Sequence, residues 1–299
     1  MSFKVIGVGE VLWDLLPSGA QLGGAPVNFA YHAKQLGADV QVVTRVGEDA
    51  RGREILERFH DLGIDARAVQ TDSRLPTGTA TVTLNLDGTP DYSISDNAAW
   101  DNVELTSVIL DAAREADAIC FGTLAQRKTV AASTIQRLVA AAPSASWRVF
   151  DVNLRQEFYS ETILRRSLEL ANVLKLNAHE LTVLSSLFEL KGDTRQKIET
   201  LSRRFHLDVV ALTRAENGSL LYRSGNWSDL PCRKMDVVDT VGAGDAFTAA
   251  LVMGLNQFDL EKIHRLASDI AGFVCSQVGA TPVLPRYLTA AFIPNRINV

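Results

Sequence analysis

The chain of 299 residues contains little cysteine, no surplus of basic charge and no long apolar run. Its cysteines, Cys120, Cys232 and Cys275, lie far apart without a Cys-x-x-Cys pair, which argues against a disulfide framework and favours buried free thiols. No stretch approaches the roughly 18 apolar residues of a membrane span. With 30 Lys and Arg against 35 Asp and Glu, the net charge of −5 disfavours nucleic-acid binding. We therefore expect a soluble, cytoplasmic protein that binds neither membranes nor nucleic acid.

The two common phosphate-binding loops are also missing. A Gly-x-x-x-x-Gly-Lys-Ser/Thr loop requires a Gly-Lys pair, and the sequence has none. A dinucleotide-binding loop needs three glycines after the first strand of a βαβ unit. The most similar stretch, Gly242-x-Gly244-x-x-Phe247, lacks the third glycine and lies far from the N-terminus. The sequence therefore disfavours nucleotide binding through either standard loop.

Short apolar runs that alternate with helical patterns make up most of the chain. The predicted strands are Val5–Val8, Ala118–Phe121, Val149–Val152, Val173–Leu176 and Val209–Leu212. Apolar residues at three-to-four spacing predict helices over Pro26–Leu36, Gly52–Leu62, Val130–Ala141, Ile163–Ala171, Arg195–Phe205, Asp245–Leu255 and Leu260–Val278. This alternation is typical of an α/β protein whose mainly parallel central sheet is covered by helices on both faces.

One stretch interrupts the alternation of strands and helices. Thr79–Leu86 and Asp91–Ser95 each alternate in polarity, and Asp87-Gly88 between them favours a turn. This pattern predicts a β-hairpin with one apolar face, in contrast to the βα units around it. Such a face has to be buried, so the hairpin requires a partner sheet.

Two further extended stretches, Val11–Leu16 and Val40–Val43, are candidates to join the hairpin in a small separate sheet. A small sheet next to a large one is suited to covering its cleft as a lid. We therefore expect one α/β domain spanning the whole chain, residues 1–299, with a discontinuous β lid from about 10–22, 39–45 and 68–101.

The stretch Asp239-Thr-Val-Gly-Ala-Gly-Asp245, followed by a helix-compatible apolar run, carries the strongest chemical signal. Gly242, Ala243 and Gly244 let the backbone approach a ligand, and a helix N-terminus presents unpaired N–H groups to an anion. Asp245 at the same place can accept a proton from an attacking hydroxyl. The combination points to phosphoryl transfer. The alternative is that Asp245 only caps the helix.

A second stretch, Gly23-Gly24-Ala25-Pro26-Val27-Asn28, indicates the start of a helix, because Pro26 suits its first turn. Asn28 offers a donor and an acceptor, which matches a sugar hydroxyl, and the two glycines expose main-chain N–H groups to a polyhydroxylated ligand. Asp14, expected at the carboxyl end of the first strand, is a candidate to bind a diol. The alternative is a tight turn with Asn28 and Asp14 on the surface.

Three more polar sets follow predicted strands: Asp151-Val-Asn153-Leu-Arg155, Asn177-Ala-His-Glu180 and Thr213-Arg214. In open α/β sheets the ligand crevice lies at the carboxyl ends of the strands, so these sets are expected to face one cleft. Asn177-x-x-Glu180 also fits a helix capping box, in which case the two residues have a structural role.

The motif Gly23-Gly24-Ala-x-x-Asn28-x-Ala30, the motif Asp239-Thr-x-Gly-Ala-Gly-Asp245 and Asn177-x-x-Glu180 between them resemble the ribokinase-like, or PfkB-type, carbohydrate kinases. The resemblance covers essentially the whole chain. It implies a ribokinase-like three-layer α/β/α sandwich with a small β lid. It also implies phosphorylation of a sugar hydroxyl with ATP and Mg²⁺, with Asp245 as the catalytic base and the backbone of Gly242, Ala243 and Gly244 as the anion hole.

The same resemblance implies ligand contacts for other positions. The positions implied for the sugar are Asp14, Gly23, Gly24, Asn28, Arg155 and Asp245, and those implied for the nucleotide are Asn177, Glu180, Thr213, Gly218 and Gly244. Glu180 would face Mg²⁺ through water. In parts of the family a monovalent cation, such as K⁺, binds near the positions of Asp239 and Val274–Val283. Relatives often dimerise through the lid, so a homodimer is one expectation and a monomer the other.

Within the family, Gly9-Glu-Val-Leu-Trp-Asp14 and Asp151-x-Asn153-x-Arg155 look most like bacterial fructokinases. Kinases of 2-keto-3-deoxygluconate have similar Asn-x-Arg segments, so such a kinase, or one for another furanose or a nucleoside, is the first alternative. A non-catalytic sugar or nucleotide sensor is the second. Two residues depart from the family pattern: Val152 stands where proline is frequent, and Ala215 where a glycine usually follows the nucleotide-turn threonine.

Overall fold

The computed structural model describes residues 2–17, 19–84, 90–233 and 235–293. The strands are β1 (Lys4–Val8), β2 (Leu12–Leu16), β3 (Gly19–Gly23), β4 (Asp39–Gly47), β5 (Val69–Asp72), β6 (Gly78–Leu84), β7 (Pro90–Ile94), β8 (Ala118–Phe121), β9 (Trp147–Asp151), β10 (Val173–Asn177), β11 (Val209–Thr213), β12 (Ser219–Arg223) and β13 (Asn226–Leu230). The helices are α1 (Ala25–Gln35), α2 (Ala50–Asp61), α3 (Ser107–Arg114), α4 (Thr129–Ala141), α5 (Glu161–Leu170), α6 (Ala178–Leu187), α7 (Thr194–Phe205), α8 (Ala243–Gly254), α9 (Leu260–Cys275) and α10 (Arg286–Thr289).

Helix starts follow from short polar side chains that accept a backbone N–H. The residues that do so are Asp49 for α2, Ser160 for α5, Asp193 for α7 and Asp259 for α9. Each has an extended backbone, so that its side chain reaches the first turn of the helix. The predicted helices lie within two residues of the observed ones, except that α9 ends three residues early, at Cys275. At this end the N–H of Val238 donates to the carbonyl oxygen of Cys275 at 2.9 Å.

Two sheets are present among the described residues. The larger has nine strands in the order β13-β12-β11-β10-β9-β8-β1-β4-β5. It is parallel from β5 to β11 and antiparallel at β12 and β13. The smaller has the order β3-β2-β6-β7. The predicted mainly parallel central sheet with a small separate sheet is therefore confirmed.

The larger sheet is buried on both faces, and alternate residues of each strand belong to opposite faces. On one face Phe121, Phe150 and their neighbours pack against α3 to α7, and on the other Val5, Val149 and their neighbours pack against α1, α2, α8 and α9. Because successive residues of a strand point to opposite faces, a continuous apolar run fills both layers of the core. The ends of the strands are left to carry polar side chains.

The lid was predicted only in part. The hairpin of β6 and β7 is confirmed by antiparallel pairing from Ala80 with Ile94 to Leu84 with Pro90; its expected turn at Asp87-Gly88 lies outside the described residues. The assignment of 39–45 to the lid is wrong, because β4 pairs in parallel with β1 in the larger sheet. The assignment of the stretch at the start of 68–101 to the lid is wrong as well, because β5 pairs with β4 in the larger sheet.

The physical reason is that Val40, Val42 and Val43 are buried on both faces, as the core of a large sheet requires. The lid consists instead of β2, β3, β6 and β7, with β2 parallel to β6. Its outer strands, β3 and β7, are sheet edges, and the pairing of either with a second lid stays a prediction.

The cysteines are all free. Cys120 is buried as expected, but Cys275 is half-buried and Cys232 is exposed, so the prediction of three buried thiols is wrong for Cys232. It follows β13 in a segment with exposed neighbours, where sequence gives no periodicity to decide burial. None of the helices in the described ranges combines the length and the apolarity that crossing a membrane demands.

Candidate active site

The start of α8 carries a set of backbone N–H donors on half-buried residues. Gly242 precedes the helix with φ of 77°, and a Cβ there would lie 2.6 Å from the Ala280 carbonyl oxygen, so only glycine fits. The N–H groups of Gly244 and Asp245 precede the first helical bond, from the Ala246 N–H to the Gly242 oxygen at 2.9 Å. In the described part of the chain no side chain caps this end. Such a helix start attracts an anion.

Asp245 lies inside the first turn of α8, because the helix begins two residues earlier than predicted. Its carboxylate accepts from Asn28 Nδ2 at 2.9 Å instead of capping its own helix. The alternative of a simple N-cap is therefore wrong. This hydrogen bond also joins α8 to α1, which the sequence placed at opposite ends of the chain.

The surroundings of Asp245 tune it as a proton acceptor. Burial, followed by the nearby Asp151 carboxylate, raises the pKa of Asp245 to about 6, while Asn28, Lys175 and Arg155 counteract the rise. A carboxyl with this pKa is ionised at neutral pH, yet it takes a proton more readily than an ordinary aspartate. The side-chain oxygen of Asn28 is buried, and the described residues provide no partner for it. A ligand hydroxyl is one donor that would satisfy it.

Asp151, at the end of β9, and Lys175, in β10, form a buried ion pair with 3.1 Å between Nζ and Oδ1. Thr248 of α8 donates to the other Asp151 oxygen at 3.2 Å. Sequence reasoning singled out Asp151 but missed Lys175. The available signal was a single lysine in the otherwise apolar strand Val-Leu-Lys-Leu.

The structure corrects the position of Asp14. It does not follow β1; it lies in the middle of β2 and so belongs to the lid. Its pairing partner in β3 is Gln21, and a Cβ on the nearby Gly23 would collide with the Asp14 carboxylate. Burial raises the pKa of Asp14 to about 6, and the charge of Arg155 opposes the rise. The lid therefore presents a carboxylate toward the main domain.

Gly24 takes φ of 120° immediately before α1, and a Cβ there would lie 2.5 Å from the Glu10 carbonyl oxygen. Glycine is required at this close approach. Glu10 itself was missed by sequence reasoning. It is 4% exposed, its Oε2 has no partner among the described residues, and burial raises its pKa to about 7.

Arg155 and Asn153 face the same cleft from the segment after β9. Arg155 is exposed, and its charge acts on Asp14, Glu10 and Asp245. Asn153, with φ of 39°, lines a cavity of about 10 Å³ together with Asp245. Asp151 at the end of β9 and Ala25 and Pro26 of α1 line the same cavity.

Asn177 and Glu180 form the predicted capping box of α6. Asn177 Oδ1 accepts the Glu180 N–H at 2.9 Å, and Glu180 Oε2 accepts the Asn177 N–H at 2.7 Å. Glu180 Oε1 also accepts the N–H of Leu154 at 3.1 Å. Glu180 is 2% exposed, and burial raises its pKa. The structural role is thus confirmed, while the contacts of both residues with ATP and Mg²⁺ stay predictions.

Thr213 ends β11 directly beside Asn177 in the parallel register. Five residues later Gly218, with φ of 81°, closes a turn in which its carbonyl accepts the N–H of Arg214 at 2.8 Å. Ala215 in this turn has φ of 48°, a left-handed conformation that explains why glycine is usual there. The predicted nucleotide turn is present as a turn, and its role as a contact stays a prediction.

Asp239 stabilises the segment before α8 through two side-chain hydrogen bonds. Its two side-chain oxygens accept the N–H groups of Val241 at 3.0 Å and Gly279 at 3.1 Å. These bonds connect the segment to the residues after α9, which also supply Ala280 against Gly242. Asp239 therefore supports the backbone around the anion site. The predicted monovalent cation is not tested by these contacts.

Comparisons with known proteins agree with this geometry. A fructokinase of Klebsiella pneumoniae is 28% identical over 283 residues, which cover 91% of this chain and 91% of the relative. An aminoimidazole riboside kinase of Salmonella typhimurium is 26% identical, with coverage of 99% and 94%. An uncharacterized sugar kinase from Pyrococcus horikoshii, solved in complex with ATP, matches with a TM-score of 0.81 at 25% identity, over 97% of this chain and 100% of that one.

The family model for pfkB family carbohydrate kinases matches residues 19–286, which include the lid strand β3, the capping box and the start of α8. That range spans most of the chain and contains nearly all of the cleft described above. The chain is therefore a member of the pfkB family of carbohydrate kinases.

Proposed function

We propose that this kinase transfers the γ-phosphoryl group of ATP to the primary hydroxyl of fructose and forms fructose 6-phosphate. The observation that carries the proposal is the position of the Asp245 carboxylate, which is held by Asn28 at the same helix start that offers unpaired N–H groups. A proton acceptor and an anion site in one place are what phosphoryl transfer to an alcohol needs.

In this reaction Asp245 accepts the proton of the attacking hydroxyl, and the N–H groups of Gly242, Ala243 and Gly244 hold the charge on the transferred phosphoryl group. The Ala243 N–H donates to the Thr240 carbonyl at 3.3 Å and exchanges that acceptor for a phosphoryl oxygen. Positioning and charge stabilisation supply most of the acceleration in such transfers. General-base action adds about 10²- to 10⁴-fold. With a net charge of −5, the chain has no global positive field, so anion binding has to be local.

Sugar binding is assigned to the cleft between lid and main domain. Asn28 has a buried acceptor with no partner in the part of the chain that the structure describes, Asp14 offers a carboxylate from β2, and Arg155 is an exposed donor. Gly23 and Gly24 keep the backbone close to this space. Fructose is favoured because several relatives are named fructokinases.

The nucleotide is assigned to the side of the cleft where Asn177 and Thr213 end neighbouring strands, with Gly218 in the following turn and Gly244 at the anion site. The Pyrococcus horikoshii relative was solved with ATP, which supports ATP as the nucleotide. Mg²⁺, when bound, neutralises charge on the phosphates, and it typically uses one or two carboxylates, waters and phosphate oxygens. In the described ranges no three His, Cys, Asp or Glu residues form a metal-holding group; Glu180, deeply buried, is suited only to a contact through water.

A panel of sugars in an ADP-release assay tests the proposal, with fructose, 2-keto-3-deoxygluconate, ribose and aminoimidazole riboside as candidates. We expect the highest kcat/KM for fructose. A preference for aminoimidazole riboside, the substrate named for one relative, would move the assignment to a nucleoside kinase. Thermal stabilisation by sugar without any ADP release would instead indicate a sensor.

A monovalent cation is a separate part of the proposal. The segment fastened by Asp239 to Gly279 is the candidate place, and its backbone carbonyls are the candidate ligands. Turnover measured in K⁺ and in a larger organic cation at equal ionic strength tests it. Equal rates in the two salts would remove K⁺ from the mechanism.

A further inference from the structure

Lys175 is a buried cation next to the helix start that is proposed to bind the anion. Its side chain is 9% exposed, and its Nζ donates to Asp151 Oδ1 at 3.1 Å. The same Nζ lies 2.9 Å from the point where a Cβ on Gly244 would stand. The missing side chain of Gly244 is therefore what leaves room for the ammonium. A cation buried this deeply persists only when it is paired.

The ion pair is fastened to α8. Thr248 Oγ1 lies 3.2 Å from Asp151 Oδ2 and 2.9 Å from the Gly244 carbonyl oxygen, so its one proton is shared between these two acceptors. Because Thr248 follows Asp245 by three positions, the two side chains share one side of the helix. Asp151 and Lys175 thus adjoin the same turn of α8 that carries Asp245.

We infer that Lys175, through its ion pair with Asp151 and its contact with the first turn of α8, is a positioning residue that keeps the Asp245 carboxylate ionised. Two carboxylates in a poorly solvated place disfavour each other's charge. The ammonium between Asp151 and the helix offsets this repulsion. The benefit for catalysis rests on the proposed function, whereas the charge of Asp245 can be measured without it.

The other groups around Asp245 do not replace Lys175. Burial, then Asp151, raises the pKa of Asp245, and Asn28, Lys175 and Arg155 lower it. Arg155 is exposed, so water and salt screen its effect.

Two more titratable groups act electrostatically on this region, Glu10 and Cys120. Burial raises the pKa of each, so neither supplies a positive charge. Burial also opposes the charge of Lys175 itself, but the carboxylates of Asp151, Glu180 and Asp245 outweigh it and raise the pKa of the ammonium. Lys175 is therefore the buried positive charge of this set.

The test is a ¹³C NMR titration of the Asp245 carboxyl in the full chain without sugar or nucleotide, with the resonance assigned by its absence in Asp245→Asn. We compare the wild type with Lys175→Met, Asp151→Asn and the double variant. Lys175→Met is expected to raise the Asp245 midpoint by about one pH unit or more. Asp151→Asn is expected to lower it, and the double variant to lie between the two. Lys191→Met, at an exposed lysine, is the matched control and leaves the midpoint in place.

An Asp245 midpoint in Lys175→Met equal to that of the wild type overturns the inference. If Lys175→Met alone is too unstable to titrate, Asp151→Asn and the double variant differ only at position 175, and the double variant contains neither charge of the pair. The double variant then has to titrate at the higher pH, and equal midpoints overturn the inference. A shifted midpoint in a chain that releases no ADP with any sugar would sink the proposed function and leave the role of Lys175 intact.

Discussion

Asn28 Nδ2 and Asp245 Oδ2 are hydrogen-bonded at 2.9 Å although 217 positions separate them in the chain. The bond joins the start of α1, directly after lid strand β3, to the start of α8, which offers the anion site. One amide therefore contacts the proposed base and also has a buried oxygen for which the described residues provide no partner. The two motifs that were farthest apart in sequence form one constellation.

Asn28→Ala is expected to impair both partners of this bond. Loss of the amide removes a hydrogen bond that favours ionised Asp245, so the acid limb of the kcat/KM profile should move to higher pH. Loss of a sugar contact should raise KM about tenfold, equivalent to about 1.4 kcal/mol. Steady-state kinetics from pH 5 to 9 measure both. Asn226→Ala, at an exposed residue, serves as the control, and an unmoved acid limb would contradict the assigned role of the bond.

Asp245→Asn is expected to retain the fold and sugar binding but to lose turnover by about 10²- to 10⁴-fold, because the amide cannot accept the proton. ADP release at saturating sugar measures the loss, and sugar-induced thermal stabilisation measures binding. Asp236→Asn, at an exposed aspartate near the same loop, is the matched control. Near wild-type kcat in Asp245→Asn would exclude Asp245 as the base.

The raised pKa of Asp245, about 6 against an ordinary 3.8, also has a consequence for stability. The stabilisation that comes with the protonated form is complete below pH 4 and is lost as the pH rises through 6. Asp245→Asn avoids that loss and should be more stable than the wild type at pH 8, by about 1–2 kcal/mol after allowance for partial exposure. Urea unfolding at pH 4.5 and 8 measures it, and a gain that grows toward acid pH would contradict the sign.

Ala215→Gly should stabilise the chain by about 1 kcal/mol, because Ala215 holds a left-handed φ of 48° that costs alanine more than glycine. The urea midpoint measures the change. Ala112→Gly, in the regular helix α3, should have the opposite effect and gives the control. A lower midpoint for Ala215→Gly would show that the turn is not strained.

The sequence predicted the helical layers and the central sheet well, because the spacing of apolar residues follows directly from which side chains each helix or strand buries. Ala118–Phe121 has the bounds expected from its apolar run. The sequence did not predict which sheet each strand joins. Val40–Val43 would have the same composition in a lid or in a central sheet, and only its pairing with β1 assigns it to the central sheet. Asp14 was misplaced for a related reason, because a short irregular connection separates β1 from β2 and the apolar pattern runs through both.

Site residues that belong to a local sequence motif could be predicted, whereas those brought together from distant parts of the chain could not. Gly242 to Asp245 and Asn28 were named from the residues alone. Lys175 was not, because a lysine in a strand does not reveal that Gly244 and Asp151 surround its ammonium. Glu10 was hidden for the same reason, since its burial depends on α1 packing over it.

The parallel pairing of β2 with β6, in which Leu12 lies beside Gly78, sets an order of assembly. Between these strands the chain completes β3, α1, β4, α2 and β5, so joining the β2–β3 and β6–β7 hairpins into one lid closes a long loop. We therefore expect this pairing to form late in folding. Destabilising substitutions in β6 are expected to accelerate unfolding and to leave the folding rate nearly unchanged.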